Sequence, residues 1–366
     1  MPGNPGLERC YVEAPNQDAA LPDGGPDGSL PDAGPDASGP DGGPDGSLPD
    51  AGPDASGPDG GPDGSLPDAG PDASGPDGGA CVDSDGDGYG EGCALGPDCD
   101  DQAPGVTGAC QGNGCPVGWA YIPAGNFEMG CNSGELDGTC LTNEQPRHTV
   151  TMTAYCMELT EVSVGAYRAC KNAGVCTGTP TASGGSYNWT AAPDAREAHP
   201  INGINWSESR EYCQSWMGGD LPSEAQWEKA ARGGPGDTRK YPWGSTPEPD
   251  CTRANGYFNS TYCNATYPPY TWPVGYLTTT SGDSPYGLKD MSGNVWEWVQ
   301  DYYLDTFYQQ CSSGCTDPLN TGSASHRVLR GGCYHRDPSS LRVVRRGIID
   351  PTDRDNAIGF RCRRTP

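Results

Sequence analysis

Gly293-Asn294-Val295-Trp296-Glu297-Trp298, answered 33 residues after Glu297 by Arg330-Gly331-Gly332, is the most constraining stretch of the chain. Two indoles flank one acid. On an extended segment both indoles point one way and Glu297 the other. An ordinary core strand would carry Val or Ile at Glu297. A buried carboxylate is costly unless it is paired or metal-bound. Glu297 is therefore a member of a structural ion pair or calcium site, or else a functional acid.

Working outward, the composition divides the chain. Residues 1–110 hold 23 of the 49 acidic residues and a single base, Arg9, so most of the net charge of −27 lies there. That acidity is local and says nothing about the partner of the remainder. It argues against nucleic acid and anionic membranes as partners of the N-terminal half, because phosphates would be repelled. All nine Trp lie after residue 118, so a core can form only in the later 250 or so residues.

Eighteen cysteines point to disulfides and an oxidising compartment, extracellular or cell-envelope. Residues 1–25 contain no apolar run of the signal-peptide kind, and no run of 18 apolar residues exists to span a bilayer.

The chain then parses into an N-terminal segment (1–17), a repeat linker (18–80), an Asp/Cys-rich module (81–115) and a head (116–366). In the linker, Leu30-Pro31-Asp32-Ala33-Gly34 returns at Leu48 and Leu66, a period of 18. With Pro or Gly at almost every third position, nothing can be buried, and a disordered, extended stalk is expected. In the module, Asp83, Asp85 and Asp87 alternate with small residues, and Asp98, Asp100 and Asp101 follow. Oxygen-rich loops of this kind suit calcium. Position twelve of an EF-hand would be Ala94, so this is not an EF-hand. The module resembles thrombospondin type 3 repeats and the aspartate-rich metal-binding modules of bacterial surface proteins. Cys81, Cys93 and Cys99 are candidates to staple it.

The head reads as α+β and loop-rich. Trp119 to Gly130 alternates like short strands. Val162, Ala166 and Ala169 recur at helical spacing. Ser207 is the expected cap of a helix carrying Tyr212, Cys213 and Trp216. Ser223 and Gln226 have capping-box spacing ahead of Trp227, Ala230 and Ala231.

Eight short blocks then fall in one order. They are Pro123 to Gly130, Glu161-Val162-Ser163, His199-Pro200 with Asn205-Trp206, Leu221 to Glu228, Tyr241 to Gly244, Gly293 to Trp298, Arg330 to Gly332 and Gly359-Phe360-Arg361. Over about residues 117–363 the chain resembles the formylglycine-generating enzyme, or sulfatase-modifying factor, family. The resemblance implies a C-type-lectin-like fold with bound calcium. It implies a disulfide between Cys213 and Cys362. It maps calcium ligands onto Asn294, Glu297 and the backbone around Val295, with a second site starting at Asn255 whose downstream Asp has no counterpart between Thr261 and Pro273.

Active members of that family oxidise a sulfatase cysteine to formylglycine with oxygen and copper. Two cysteines hold the metal, at the fourth and ninth positions after the Gly-Gly, and soft thiolates suit Cu(I). Those positions here are Arg336 and Leu341, and Cys333 is the sole cysteine of the strip. Copper is not expected. Cys333 remains a candidate nucleophile with His335 two residues on; the bland alternatives are a disulfide, with Cys156 for example, or a small buried hydrophobe. His335, Arg336, Arg342, Arg345 and Arg346 are candidate binding residues for an acidic segment or anionic sugar, or equally partners of core acids. Two readings follow: a secreted or surface-displayed head acting through protein or glycan binding or altered chemistry, and an active formylglycine-generating oxidase.

Overall fold

The structure is a computed structural model that describes residues 82–366 apart from 88, 92, 94, 96–97, 183–185 and 265–269. The N-terminal segment, the repeat linker and Cys81 lie outside the described residues.

Regular elements are short. Strands β1 (Trp119–Ile122), β2 (Gly125–Met129), β3 (His148–Met152) and β4 (Tyr155–Glu158) precede helices α1 (Val164–Asn172), α2 (Trp206–Glu211) and α3 (Glu224–Arg232). Then come β5 (Tyr257–Phe258), β6 (Thr261–Tyr262), β7 (Trp296–Tyr302), α4 (Phe307–Gln310), β8 (Cys315–Thr316), β9 (Arg327–Arg330), β10 (Gly347–Ile349), β11 (Ile358–Gly359) and β12 (Arg363–Arg364). They form sheets ordered β1-β4-β12, β10-β9-β7-β11, β2-β3-β8 and the pair β5-β6.

Local chemistry explains the helix starts. Ser223 accepts from the Gln226 amide at 3.1 Å, and Gln226 Oε1 accepts from the Ser223 amide at 2.8 Å, so the expected capping box opens α3. The α2 cap is Asn205 rather than Ser207: its Oδ1 accepts from the Glu208 amide at 3.0 Å, and Glu208 reaches back at 3.2 Å. Ser207 is exposed one residue inside the helix. Helix α1 starts at Val164, two residues later than the apolar spacing suggests, because Ser163 caps it. After α2 the backbone widens into a π-turn, Tyr212–Trp216, that carries Cys213 into the core.

Strand β7 is the spine. Trp296 and Trp298 join one apolar cluster with Cys213, Tyr212 and Phe360. Val299 joins the other, around Trp227, Val328 and Val344. Glu297 reaches that second side, where Trp227 Nε1 donates to it at 2.8 Å. The two indoles thus face one way and the acid the other, as alternation requires. No face of β7 meets solvent before its last residue.

Seven disulfides close among the described residues. Cys213 pairs with Cys362, as the resemblance implied. Cys156 pairs with Cys115, which removes it as a partner for Cys333. Cys99 pairs with Cys110 and not within the aspartate loop. Ala103 and Val106 are buried in the same cluster as Trp298, so the second half of the Asp/Cys-rich segment packs as part of the head. No helix of the described residues is long and apolar enough to cross a membrane.

Candidate functional site

The site lies where β7 begins and the strip after β9 turns back. Gly293 has φ 89°, and a Cβ there would sit 2.2 Å from the Asn255 carbonyl oxygen, so only glycine admits this approach. The approach sets Asn294, itself left-handed at φ 60°, against residue 255. Asn294 then acts as a hub. Its Oδ1 accepts from the Trp272 amide at 2.9 Å and from Asn255 Nδ2 at 3.1 Å, and its Nδ2 donates to Glu161 at 3.0 Å.

Two of the expected calcium ligands, Asn294 and Asn255, bond to each other here. The Asn294 amide oxygen accepts both the Trp272 and the Asn255 hydrogen bonds. Glu297 is the ion-pair member: Arg361 Nε and Nη2 reach its two oxygens at 2.8 and 2.7 Å, with both side chains wholly buried. Its Oε1 accepts only that one described bond, so one lone pair stays open. Val295 is buried directly ahead of the strand.

The uncommitted oxygens are elsewhere. Glu161 Oε2 and Asn255 Oδ1 are both buried without a hydrogen-bond partner. Burial and the nearby Asp290 carboxylate push the Glu161 carboxyl well above the usual range; burial also raises Asp290. Two crowded carboxyls, one of them with an orphaned oxygen, beside the orphaned amide oxygen of Asn255 are a donor set that fits a hard cation such as calcium. Neither Glu161 nor Asp290 was singled out from sequence. Glu161 stood in a recognised block without a role, and Asp290 precedes Asn294 by only four residues.

Beyond Gly331-Gly332, Cys333 is buried and is the free cysteine among the described residues. Its Sγ lies 3.4 Å from His335 Nδ1. Burial pushes its thiol up to about 12. Burial and Arg336 push His335 down to about 4. Burial favours the neutral form of both side chains, whereas an activated nucleophile requires thiolate. Leu341 is buried against Tyr241, Ala254 and Phe258. The strip therefore does not fit the two-thiolate copper centre.

The arginines split. Arg342 makes two bonds to buried Glu144, at 2.7 and 2.9 Å, and Arg346 makes two to buried Glu224, at 2.7 and 2.9 Å. Arg345 is buried 4.0 Å from Glu144. All three are core residues and not a basic cleft. His335 and Arg336 stay half-buried at the surface of the site, beside the half-buried rings of Tyr257, Tyr262 and Tyr270. That tyrosine-rich border was missed in the sequence; its signal was the density of Tyr between residues 257 and 270.

In the aspartate loop, one carboxylate oxygen each of Asp83, Asp85 and Asp87 lies within 4.8 Å of the others. Burial raises Asp85 to about 6, and the charge of Asp98 adds to it. Asp100 is paired with Arg364, whose Nη2 sits 2.6 Å from one of its oxygens. Asp101 lies outside the group of three.

Residues 116–366 match the family model described as "Sulfatase-modifying factor enzyme 1-like domain". The chain is 30% identical over 291 residues to a formylglycine-generating enzyme of Streptomyces coelicolor, covering 67% of this chain and 88% of that protein. It is 37% identical over 164 residues to the serine/threonine-protein kinase pkn1 of Chlamydia pneumoniae, of which it spans only 24%. Among solved structures, PvdO from Pseudomonas aeruginosa superposes with a TM-score of 0.54 at 25% identity, covering 68% of this chain and 94% of that one.

Proposed function

The chain belongs to the sulfatase-modifying factor family, and from that premise we propose that its head works by binding a protein or glycan ligand and not by two-cysteine copper oxidation. One observation carries this reading: the strip after Gly331-Gly332 offers a single sulfur, the buried neutral thiol of Cys333, where the oxidase needs a pair. The half-buried Tyr257, Tyr262, Tyr270, His335 and Arg336 supply aromatic area and polar tips at the same place, the mix that recognition faces favour. The disulfide-rich head and the Pro/Asp/Gly repeat support display outside the cytosol.

The test is direct. Purified protein, loaded with Cu(I) and given oxygen and a peptide containing Cys-x-Pro-x-Arg, is expected to yield no aldehyde. Formylglycine detected by mass spectrometry would establish the oxidase instead.

Calcium is part of the proposal. The orphaned oxygens of Glu161 and Asn255 support a site in the head beside Asp290, with one open position on Glu297. The buried, unpartnered oxygens on Asp85, Asp87 and Asp98 support another in the aspartate loop. A bound cation would offset the carboxylate repulsion and stabilise the folded state by mass action. Chelation is expected to lower the melting temperature, and calcium to restore it. A melting curve unmoved by chelator in protein proven metal-free would remove calcium from the account.

A further inference from the structure

A chain of rings in contact runs inward to the free thiol. Tyr257 lies 4.8 Å from Tyr262, centroid to centroid, and Tyr262 lies 5.2 Å from Tyr270. Tyr270 stacks on Tyr334 at 5.4 Å and 18°. Tyr334 meets His335 edge-on at 5.0 Å, and His335 Nδ1 is 3.4 Å from Cys333 Sγ. The first three rings are half-buried, while Tyr334 and Cys333 are buried.

Packing alone accounts for aromatic contacts. Here four phenols stand in a row, and the imidazole at its inner end lies against a free thiol. Phenols and thiols are among the side chains most readily oxidised by one electron, and rings in van der Waals contact exchange electrons readily. We propose that Tyr257, Tyr262, Tyr270 and Tyr334 form a relay that carries one-electron oxidising equivalents from the surface to Cys333.

The balance is simple. An outer-sphere one-electron oxidant takes an electron from Tyr257 and is reduced. Each ring is refilled by the next, and a phenol that loses its proton regains one when refilled. The last electron comes from Cys333. Its S–H bond breaks, the electron passes to Tyr334 and the proton to His335, which releases it to water. One oxidant is reduced and one thiol becomes a thiyl radical.

Burial makes the inference sharp. Peroxides attack thiolates that they can reach, and Cys333 is neither ionised nor accessible. The row of rings offers one-electron oxidants a route to Cys333 that needs neither ionisation nor direct access.

The test uses the full chain and a photogenerated ruthenium(III) polypyridyl oxidant, with Cys333 followed by alkylation and peptide mapping. Wild type is expected to lose free Cys333 with light dose, while hydrogen peroxide spares it. Tyr270→Leu, which opens the row, should cut that loss several-fold and leave oxidation products on Tyr257 and Tyr262. Tyr270→Phe keeps the ring's packing but replaces it with one far harder to oxidise, and should behave like Tyr270→Leu without disturbing the fold. Equal Cys333 loss in Tyr270→Phe and wild type, or no light-dependent loss in wild type, overturns the relay. None of these outcomes depends on whether the head binds a ligand.

Discussion

Glu297 is settled by its partners. Its carboxylate meets Arg361 at two points and the Trp227 indole at a third, all in the dry interior. Removing one member strands the other. Arg361→Met is expected to cost about 3–5 kcal/mol, whereas the double change with Glu297→Gln should recover part of it. Urea unfolding of the two variants checks this; a double variant no more stable than the single one would mean the pair is not the relevant unit. Cys333 yields a second test. With its thiol raised to about 12, it should resist iodoacetamide in the folded protein at pH 8 and react once unfolded. Rapid labelling of the native chain would contradict the burial. The sequence placed Glu297 opposite two indoles but could not name its partner, because Arg361 is 64 residues away and only packing brings it near.

Elements here are fixed by their ends. Asn205 and Ser223 make reciprocal caps, whereas Ser207 makes none. Asn205→Ala should cost about 1 kcal/mol, and Ser207→Ala close to nothing. Equal losses would restore Ser207 as the cap. Ser207 was the expected cap; Asn caps as well as Ser, and only the amide geometry shows that Asn205 takes the role. The start of α3 is also held by Asp301 on β7, which accepts from the Glu224 amide at 2.7 Å and from the Asn320 amide at 2.9 Å. Burial, and then the charge of Glu224, raise Asp301 from 3.8 to about 7. A raised carboxyl favours the protonated fold, so its contribution is complete below about pH 4 and is lost as pH rises through 7. Stability should therefore fall between about pH 4 and pH 7 and level off above that. Asp301→Asn, which cannot ionise, should flatten that slope; an unchanged slope would assign it to other groups.

At the scale of the molecule, short elements in a loop-rich body need covalent help. Cys213–Cys362 closes a separation of 149 residues and ties the π-turn after α2 to the last strand. In the chain-entropy treatment a loop of that length is worth about 5 kcal/mol. Replacing both cysteines with alanine should lower stability by that order in urea unfolding, and a loss near zero would show that packing alone holds the two ends. The arginines of the C-terminal strip have the same architectural character. Arg342 and Arg346 anchor the strip to Glu144 and Glu224, far away in sequence. A run of basic residues reads the same whether it faces solvent or core, so the sequence left both options standing.

What the sequence determined by itself was whatever depends on order and spacing along the chain. The eight blocks, the alternation through Trp296-Glu297-Trp298, the capping box at Ser223 and the lone cysteine after Gly331-Gly332 are properties of neighbours and intervals. The tertiary structure alone decided which charges meet: Arg361 with Glu297, Arg342 with Glu144, Arg364 with Asp100, and Glu161 beside Asp290. The reason is physical. Covalent spacing fixes local geometry, but the energy of a charge depends on what surrounds it, and those surroundings are assembled from residues tens to hundreds of positions apart.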